Sequence, residues 1–375
     1  MKNKILLLCL IVLTFSCKNE LNKKSITNTD NLINENKTTY ELCEKNKDIL
    51  VSLIDSVSFI SLKDETGNLF SNINKLRIYD NAIYILDIIR ANSLLKFDIH
   101  GNFITKIGQQ GHGPKEYRRL WDFDIDSTGI YLYDRTKMKV LIYDHNGQFI
   151  CENNVPFRID KMKLLSSNKY LVSLAKEDNL LELITTDNKF NIIDKHIFYD
   201  EKYNDNKMTD NLYQEVDSLI IYNKPVNDSL YIYDKSGNML KCINFDFGKH
   251  KVPEELKLNY DELANMRNKE DFIYFYDSPM IIDNILIGNI FKGKYKATLI
   301  YDLNTQQFFI NEYKPKSIDF NNICFPIFAT KKYVVSILDI YVFENLKKKP
   351  NIDNAYIRHL QEGGHILCIY HFNDM

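Results

Sequence analysis

LLKFDIHGNFITKIG (94–108), KVLIYDHNGQFI (139–150), SLYIYDKSGNML (229–240) and ATLIYDLNTQQFFI (297–310) are four versions of one pattern. Each begins as an apolar strand, continues through an aromatic residue, an Asp and a short polar turn, and ends in a second strand. Alternating and β-branched runs bounded by Asp, Asn and Gly are typical of tightly turned strand pairs. Because so small a unit cannot bury its own two faces, its repetition predicts a β-propeller.

The turn residues count the blades. The first four aspartates are spaced by roughly 45 residues, a period typical of propeller blades, and they are Asp98, Asp144, Asp187 and Asp234. The next two turn positions each follow after roughly 70 residues, at Asp302 and Phe372. We therefore expect an all-β, six-bladed β-propeller of four-stranded antiparallel blades over residues 50–375, with insertions in the last two repeats.

The last repeat lacks an outer strand, because the chain ends soon after Phe372. A spare strand, Val57–Leu62, precedes the first inner strand, which lies near Ile73–Tyr79. An open propeller would expose two unpaired sheet edges. We predict that this N-terminal strand closes the ring by pairing with blade six.

The run FDIHGNFITKIGQQGHGPKEY (97–117) resembles the signature of six-bladed β-propeller lipoproteins common in Bacteroidota, which are distantly similar to NHL-repeat propellers. The matching positions are Asp98, Gly101, Phe103, Ile107, Gly108, Gly111, Gly113, Pro114, Glu116 and Tyr117. Lys115 stands where the family often has glycine. The resemblance covers nearly all of residues 50–375 and implies an envelope-located propeller, but it supplies no catalytic residue.

Residues 1–17 have the form of an export signal. Lys2 and Lys4 precede an apolar run, Ile5–Phe15, that is too short to span a membrane. Cys17 follows the small residue Ser16, as in bacterial lipoprotein signals, which predicts lipidation of Cys17. The prediction is an exported protein anchored by lipid in the cell envelope, at the outer membrane. An ordinary secretory signal that contains a cysteine is the alternative.

The polar residues 18–49 are expected to form a flexible tether of roughly 30 Å average reach.

The net charge of −2 and pI near 6.5 argue against a nucleic-acid partner. The cysteines beyond the signal region have no close pairing and suit buried apolar positions better than disulfides. We expect a monomeric folded body.

Every long connection joins either two blades or the second and third strands of a blade, and in a propeller these connections emerge on one side of the disc. Three insertions lie there, at 199–213, 248–277 and 343–364. Pro253, two glutamates and the apolar spacing of Leu256, Tyr260 and Leu263 predict a helix in the second insertion, as a partial lid or as simple packing. Insertions on one face of a repeat protein usually mark its binding face.

Charged residues from the loops on that side are the candidate binding residues, namely Arg90, His112, Lys115, Glu116, Arg118, Arg135 and Lys137. They suit a charged or sugar-like ligand or a protein partner, and they equally suit a ring of solvated loops, which is the default expectation for surface charges. For Glu116 we favour a structural role instead, in which it accepts hydrogen bonds from loop amides. Tyr117 and Trp121 are assigned to the core.

No metal ligand set, cofactor motif or catalytic motif is recognised. Asp122, Asp124 and Asp126 resemble a calcium loop only superficially, because the Gly and Glu of such loops are misplaced here. Asp126 is expected to cap a hairpin instead.

The sequence leaves two hypotheses for the function of the protein. The first is a binding or scaffold module for a glycan, peptide or envelope protein on the insertion side. The alternative is an NHL-like lyase or hydrolase whose active site lies at the pore mouth and includes His112.

Overall fold

In the computed structural model, residues 37–42, 53–63, 70–166, 168–177, 180–204, 209 and 211–373 are described. Strands are numbered in chain order. Two of them precede the first blade, β1 (Lys37–Glu41) and β2 (Ile54–Ser61). Together with β2, the remaining strands form six blades of four antiparallel strands counted outward from a common axis, as the repeat predicts, with the inner strand of blade five divided in two and β1 added at the edge of blade four.

The first three blades are regular. Blade one is β3 (Lys75–Tyr79), β4 (Ala82–Asp87), β5 (Ser93–Asp98) and β6 (Phe103–Ile107). Blade two is β7 (Leu120–Asp126), β8 (Gly129–Asp134), β9 (Lys139–Tyr143) and β10 (Phe149–Asn154). Blade three is β11 (Ile159–Leu165), β12 (Lys169–Leu174), β13 (Leu181–Thr186) and β14 (Ile192–Phe198).

The last three blades depart from this plan. Blade four is β15 (Tyr213–Val216), β16 (Leu219–Tyr222), β17 (Ser229–Asp234) and β18 (Met239–Asp246). Blade five has a divided inner strand, β19 (Ile273–Phe275) and β20 (Met280–Ile282), followed by β21 (Ile285–Lys292), β22 (Tyr295–Asp302) and β23 (Phe308–Glu312). Blade six contributes β24 (Pro326–Ala329), β25 (Tyr333–Leu338) and β26 (Ile366–Phe372).

The predicted closure of the ring is confirmed. β2 pairs antiparallel with β26 and supplies the missing outer strand of blade six. Inside the ring the innermost strands contact one another in sequence, and β24 of blade six contacts β3 of blade one. The N-terminal and C-terminal parts of the propeller are therefore held in one sheet.

The predicted tether is corrected at one place. Within residues 18–49, β1 forms a strand that pairs in parallel with β18 at the outer edge of blade four. The Tyr40 ring lies 6.0 Å from the rings of both Phe245 and Tyr301, in the groove between blades four and five. An apolar groove beside an unpaired strand edge explains why this polar stretch pairs there. The rest of the predicted tether, and the signal with Cys17, lie outside the described residues.

The core lies between the blades. Middle strands are buried on both faces, and every residue of β4, β8 and β13 is buried. Leu86 and Ile130 pack between blades one and two, while Ile85 and Leu367 pack between blades one and six. Each sheet thus buries one face against each neighbour, which a single repeat could not do.

In the described parts of the insertions there are four short helices. The 248–277 insertion has a 3₁₀ turn (Gly248–His250) and two helices, α1 (Glu254–Lys257) and α2 (Tyr260–Met266), instead of one. The 343–364 region carries α3 (Ile340–Glu344) at its start and α4 (Asn354–Gln361). In the described ranges, no helix has the length and apolar character needed to cross a bilayer.

Two ends of the disc are distinguished below. The insertion face carries the connections between blades and between the second and third strands of each blade. The hairpin face carries the turns between the first and second strands and between the third and fourth strands. Inner strands run from the insertion face to the hairpin face, so the position of a residue along such a strand gives its depth in the disc.

Candidate functional site

The loop at 111–117 is held by its own side chains. Glu116 accepts a hydrogen bond from the Gly113 amide at 2.7 Å, in agreement with the structural role favoured for it. Lys137, a candidate binding residue, donates to the carbonyl oxygens of Gly113 at 3.0 Å and Glu116 at 2.7 Å. A Cβ atom on Gly111 would lie 2.1 Å from the Glu116 carboxylate, so a larger residue there would displace this side chain from its hydrogen bond with the loop. Glu116 and Lys137 therefore have structural tasks.

Lys115 also contributes to the loop. It adopts a left-handed backbone conformation, with φ of 66°, and its carbonyl accepts a hydrogen bond from the Tyr143 hydroxyl at 2.9 Å. Its ammonium group lies 5.5 Å from the centre of the Phe149 ring, on the side of the last strand of blade two. A glycine, which the resemblance implies for this position in related sequences, would fit this positive φ.

Arg90, His112 and Arg118 are exposed, and no described residue forms a side-chain hydrogen bond or ion pair with them. Their positions are set through the backbone. The Arg90 amide donates to Asp87 at 2.9 Å, and the Arg118 amide donates to Asp134 at 2.7 Å. Both aspartates are fully buried, so they organise the loops of the insertion face instead of contacting a ligand.

Arg135 belongs to a cluster that sequence analysis did not assemble. Its guanidinium carbon lies over the Trp121 ring, 3.9 Å from the ring centre. Arg119 and Lys161 approach the same ring at 5.7 Å and 5.4 Å. Trp121 is itself buried in the core between blades two and three, as expected. The ring thus forms the floor of a basic cluster at the insertion face, an arrangement that cation–π attraction stabilises.

Arg158 completes this cluster. Partial burial, and next the charge of Arg158, lower the pKa of the Arg135 guanidinium, while Asp160 acts in the opposite direction. Arg119, Arg135 and Arg158 make no salt bridge with any residue in the described part of the chain. We call these three residues the arginine triad. They come from three successive loops, which is why their separation in sequence does not indicate a common site.

The axis below the triad is lined by paired charges. Lys75 donates to Asp122 at 2.8 Å, and Lys163 donates to Asp124 at 2.6 Å. The second oxygen of Asp122 accepts the Met162 amide at 2.7 Å. Burial lowers the pKa of Lys75 to about 8, although Asp122 opposes this shift. These contacts join blades one, two and three near the axis.

The three aspartates of β7 are thus accounted for by contacts within the protein. Burial would raise the pKa of Asp124, but Lys163, Lys75 and Arg77 outweigh it and hold that pKa well below its usual range. Asp126 accepts the Thr128 amide at 2.8 Å and caps its hairpin, which confirms the prediction for this residue. Among the described residues, no group of three or more His, Cys, Asp or Glu side chains is arranged to hold a metal ion.

A cavity of about 290 Å³ opens at the hairpin end of the axis. The charged side chains in its wall come from blades one to four, and blade six adds Phe328, Ala329 and Thr330. The charged members are Arg77, Asp124, Asp126, Lys163, Glu215, Asp217 and Lys235. None of the candidate binding residues lies in this wall, because they all belong to loops of the other face.

The helices of the insertions serve packing. Leu256 of α1 and Leu263 of α2 are buried against Val226 and Phe272. Lys257 of α1 also pairs with Asp228 of blade four. In α4 the Tyr356 hydroxyl donates to the Phe59 carbonyl of β2 at 3.2 Å. The insertions therefore cover strand ends, in line with the simpler of the two interpretations.

Comparison with known proteins places the chain in a family. The family model "Domain of unknown function (DUF4934)" matches residues 35–365. A solved Bacteroides fragilis protein, inferred to be exported, is similar with a TM-score of 0.68 and 22% identity, over 89% of this chain and 98% of that chain.

A second solved structure, a DUF4221 family member from Bacteroides vulgatus, has a TM-score of 0.51 and 12% identity, with 86% and 97% of the two chains covered. At such identities the likeness shows the fold alone. No curated protein matches the sequence. Because the family match spans nearly the whole propeller, the chain belongs to the DUF4934 family.

Proposed function

We propose that this protein is a lipid-anchored binding module of the cell envelope, and that its insertion face holds an acidic glycan, peptide or protein partner. The arginine triad is the observation that carries the proposal. The Arg119 and Arg135 guanidinium groups lie over one ring, Arg158 is near enough for its charge to act on Arg135, and none of the three has a salt-bridge partner among the described residues. Guanidinium groups recognise carboxylate and sulfate oxygens through charge-assisted, often bidentate hydrogen bonds.

Trp121 makes the triad a prepared site. Long arginine side chains normally lose rotamer freedom when they bind a ligand. Here the Trp121 ring already holds the Arg135 guanidinium at 3.9 Å, so this side chain loses less conformational entropy when a ligand binds. The role is binding and not catalysis, with no cofactor and a monomeric body.

Anchoring through Cys17 is the second part of the proposal. The signal-like residues 1–17 support it, and so does the similarity to a protein inferred to be exported. The tether then runs from Cys17 to Lys37, where β1 begins. The proposed location is the outer membrane, on its periplasmic or surface side.

The binding of acidic polymers tests whether the insertion face is the binding surface. Polygalacturonate and polyglutamate should bind the protein with an affinity that falls as salt rises, whereas neutral dextran should not bind. The double variant Arg135→Gln/Arg158→Gln should weaken binding at least roughly tenfold, since hydrogen bonds to charged groups contribute about 1.5–3 kcal/mol each. Lys189→Gln/Lys195→Gln removes the same charge from exposed positions elsewhere on blade three. Equal losses in both double variants would contradict the proposal.

Metabolic labelling with a fatty-acid analogue tests the anchor. We expect the label on the native protein and on Cys43→Ser, and its loss in Cys17→Ser, because the lipid would be carried by Cys17 alone. A protein that is secreted without label in all three cases would instead have an ordinary secretory signal.

A further inference from the structure

The most exposed large apolar side chains of the described residues lie on the insertion face. Ile89, in the loop between β4 and β5, is 69% exposed, and Tyr341, in α3, is 63% exposed. Every other large apolar side chain that is exposed in the described ranges belongs to the outer strand of a blade. We call Ile89 and Tyr341 the apolar tips. Such groups gain free energy when a partner removes them from water.

The apolar tips come from neighbouring blades, six and one. The Phe70 ring, just ahead of blade one, stacks 5.2 Å from the ring of His365. The next residue, Ser71, donates its amide to Asp87 at 2.8 Å, and Asp87 begins the loop of the first tip. His365 and Asp339 flank the paired ends of β25 and β26, and Asp339 begins the helix of the second tip. The two loops therefore stand side by side.

Hydrogen bonds hold both loops in place. Asp87 accepts the Ile89 amide at 2.8 Å. Asp339 accepts the Val342 amide at 2.7 Å, and Val342 is buried in blade six while Tyr341 points outward. Because the tips are already fixed in exposed positions, docking through them costs little conformational entropy.

Cations surround the apolar tips. Arg90 follows Ile89, and the Asn92 side chain donates to the Arg118 carbonyl at 3.0 Å, which places the 111–119 loop beside this one. The run Lys347–Lys349 follows α3, and the Lys349 ammonium lies 4.3 Å from the centre of the Phe343 ring of that helix. Arg90, Arg118 and the three lysines are exposed.

Positive charge is in excess around the tips. The three loops at 87–92, 111–119 and 339–349 hold seven lysine and arginine residues and four carboxylates. Of these carboxylates, Asp87 is buried and accepts loop amides, and Glu116 and Asp339 also accept amides. The adjacent stretch with α4 adds Arg358 against Asp353 and Glu362, which leaves the excess in place. The partner favoured by this surface is anionic.

The apolar tips suit a lipid surface better than a protein. A specific protein interface buries roughly 800 Å² per partner around a packed apolar core, and two separate side chains on loops do not form such a core. A bilayer needs no complementary shape. Tyr is enriched at membrane interfaces, apolar side chains enter the boundary with the acyl chains, and Lys and Arg reach the headgroups. A second copy of this chain would bring like charges together.

We infer that this side of the insertion face docks on a lipid surface with anionic headgroups, and that Ile89 and Tyr341 enter the boundary between headgroups and acyl chains. The contact goes beyond the proposed function, because residues other than the arginine triad make it.

The proposed anchor is compatible with this contact. β1 runs parallel to β18, so Lys37 lies at the hairpin end of blade four. Residues 18–36 can span at most roughly 65 Å between Cys17 and Lys37. An inner strand as long as β7 spans only about 23 Å. The anchor and the apolar tips can therefore reach the same membrane.

A fluorescent label beside the apolar tips tests the docking. The label is attached to Glu344→Cys of the full-length protein, with Cys43 and the exposed Cys151 replaced by Ser. A matched label at Ser127→Cys marks the hairpin face. The vesicles are phosphatidylcholine with and without phosphatidylglycerol, and they carry a lipid whose headgroup quenches the label. We expect stronger quenching at residue 344 than at residue 127, and we expect it to fall when phosphatidylglycerol is left out or salt is raised.

The variant Ile89→Ser/Tyr341→Ser tests the tips themselves. The ratio of docked to undocked protein, read from the quenched fraction, should fall at least roughly tenfold, because two apolar side chains no longer leave water. Ile104→Ser/Ile150→Ser removes two exposed isoleucines from the outer strands of blades one and two, and should dock like the native protein. Both variants should bind polygalacturonate normally, so failure of the arginine triad is recognised separately.

Equal quenching of the two labels, or docking that survives Ile89→Ser/Tyr341→Ser, would overturn the inference. A label at residue 344 that stays in water on both kinds of vesicle would also overturn it, and would leave a protein as the occupant of the tips. The label reports the docked surface and not the anchor, so the same readings apply when vesicles are added to a chain without lipid.

Discussion

At the scale of single residues, the axis is unusual because it buries charges in a protein held together by apolar interfaces. Asp124 is fully buried and contacts both Lys163 and Arg77. It also accepts the Leu164 amide of blade three at 2.8 Å. A buried pair adds little net stability, but removal of one partner leaves the other charge uncompensated.

Asp124→Asn should therefore destabilise the protein strongly. We expect the free energy of unfolding to fall by about 3–5 kcal/mol, the cost of breaking a buried ion pair. Asp126→Asn, two residues along the same strand, should cost under about 1 kcal/mol, because Asn can still accept the hairpin hydrogen bonds. Urea unfolding of the two variants measures the difference, and similar losses would contradict the assigned roles.

Lys235 should titrate near pH 8, well below an ordinary lysine. Burial and the charge of Lys163 lower its pKa to about 8; Arg77 acts in the same direction, and Asp124 and Asp126 act against it. Glu215 is its ion-pair partner. The ¹³Cε signal of Lys235 should have its midpoint about two units below that of an ordinary lysine.

Lys331 is the internal control for this titration. Its hydrogen bond with Asp217 raises its pKa above the usual lysine value. The direction in which Lys235 changes stability with pH follows from the number of protons bound in the folded and unfolded states. Between pH 8 and the ordinary lysine value the unfolded chain holds more protons at Lys235, so this residue makes the folded state more favourable as pH rises. A Lys235 midpoint as high as that of Lys331 would contradict the described environment.

At the scale of elements, the repeated aromatic-Asp turn works through its aspartate. Asp234 accepts the amides of Ser236 at 2.8 Å and Asn238 at 2.9 Å, and its other oxygen accepts the Asn238 side chain at 2.9 Å. Asp98 and Asp187 form the same contacts with Asn102 and Asn191. This local satisfaction of the backbone explains why the motif is readable in the sequence.

Asp234→Ala should destabilise blade four. Loss of three hydrogen bonds in a partly exposed turn should lower the free energy of unfolding by about 1–2 kcal/mol. Ser236→Ala in the same turn should have almost no effect, because the Ser236 side chain makes no hydrogen bond to a described residue. Thermal unfolding of both variants measures this, and a neutral Asp234→Ala would show that the turn is determined by its glycine and its strands.

The elements that differ from expectation do so because of distant contacts. The inner strand of blade five is divided at Tyr276–Pro279, where Asn289 of β21 donates to Asp277 at 3.1 Å and to the Pro326 carbonyl of blade six at 2.7 Å. β1 pairs with β18, far away in sequence. The secondary-structure propensity of a short segment does not indicate such distant partners, which here are Asn289 for the divided strand and β18 for β1.

At the scale of the whole molecule, β2 determines whether the ring closes. Seven of its residues are in register with β26. The Phe59 ring stacks on Phe320 at 5.8 Å and packs at a tilt against Tyr356 at 6.0 Å. Without β2, the edge of β26 would be unpaired and part of the apolar surface of blade six would be exposed.

Two truncated chains test the closure. A chain that begins at residue 63 lacks β2 and should lose at least about 3 kcal/mol of stability, since Val57, Phe59 and Ile60 no longer cover blade six. A chain that begins at residue 53 lacks only β1 of the described strands and should lose less. Equal urea midpoints for the two chains would contradict the role of β2.

The fold could be predicted because its causes are local and repeated. Alternating apolar residues and the hydrogen bonds of Asp98, Asp187 and Asp234 are properties of short segments, so they determine strands, turns and the number of blades directly. The spare strand near Val57 could also be matched to blade six, because an unpaired edge is unfavourable wherever it lies.

The candidate sites, in contrast, depend on contacts between residues that are far apart in the sequence. Arg119 and Arg135 meet over the Trp121 ring with Arg158 nearby, and Arg77 and Lys235 line one cavity, only because six blades close around one axis. That closure brings together side chains that are remote in sequence, and it was decided by tertiary packing.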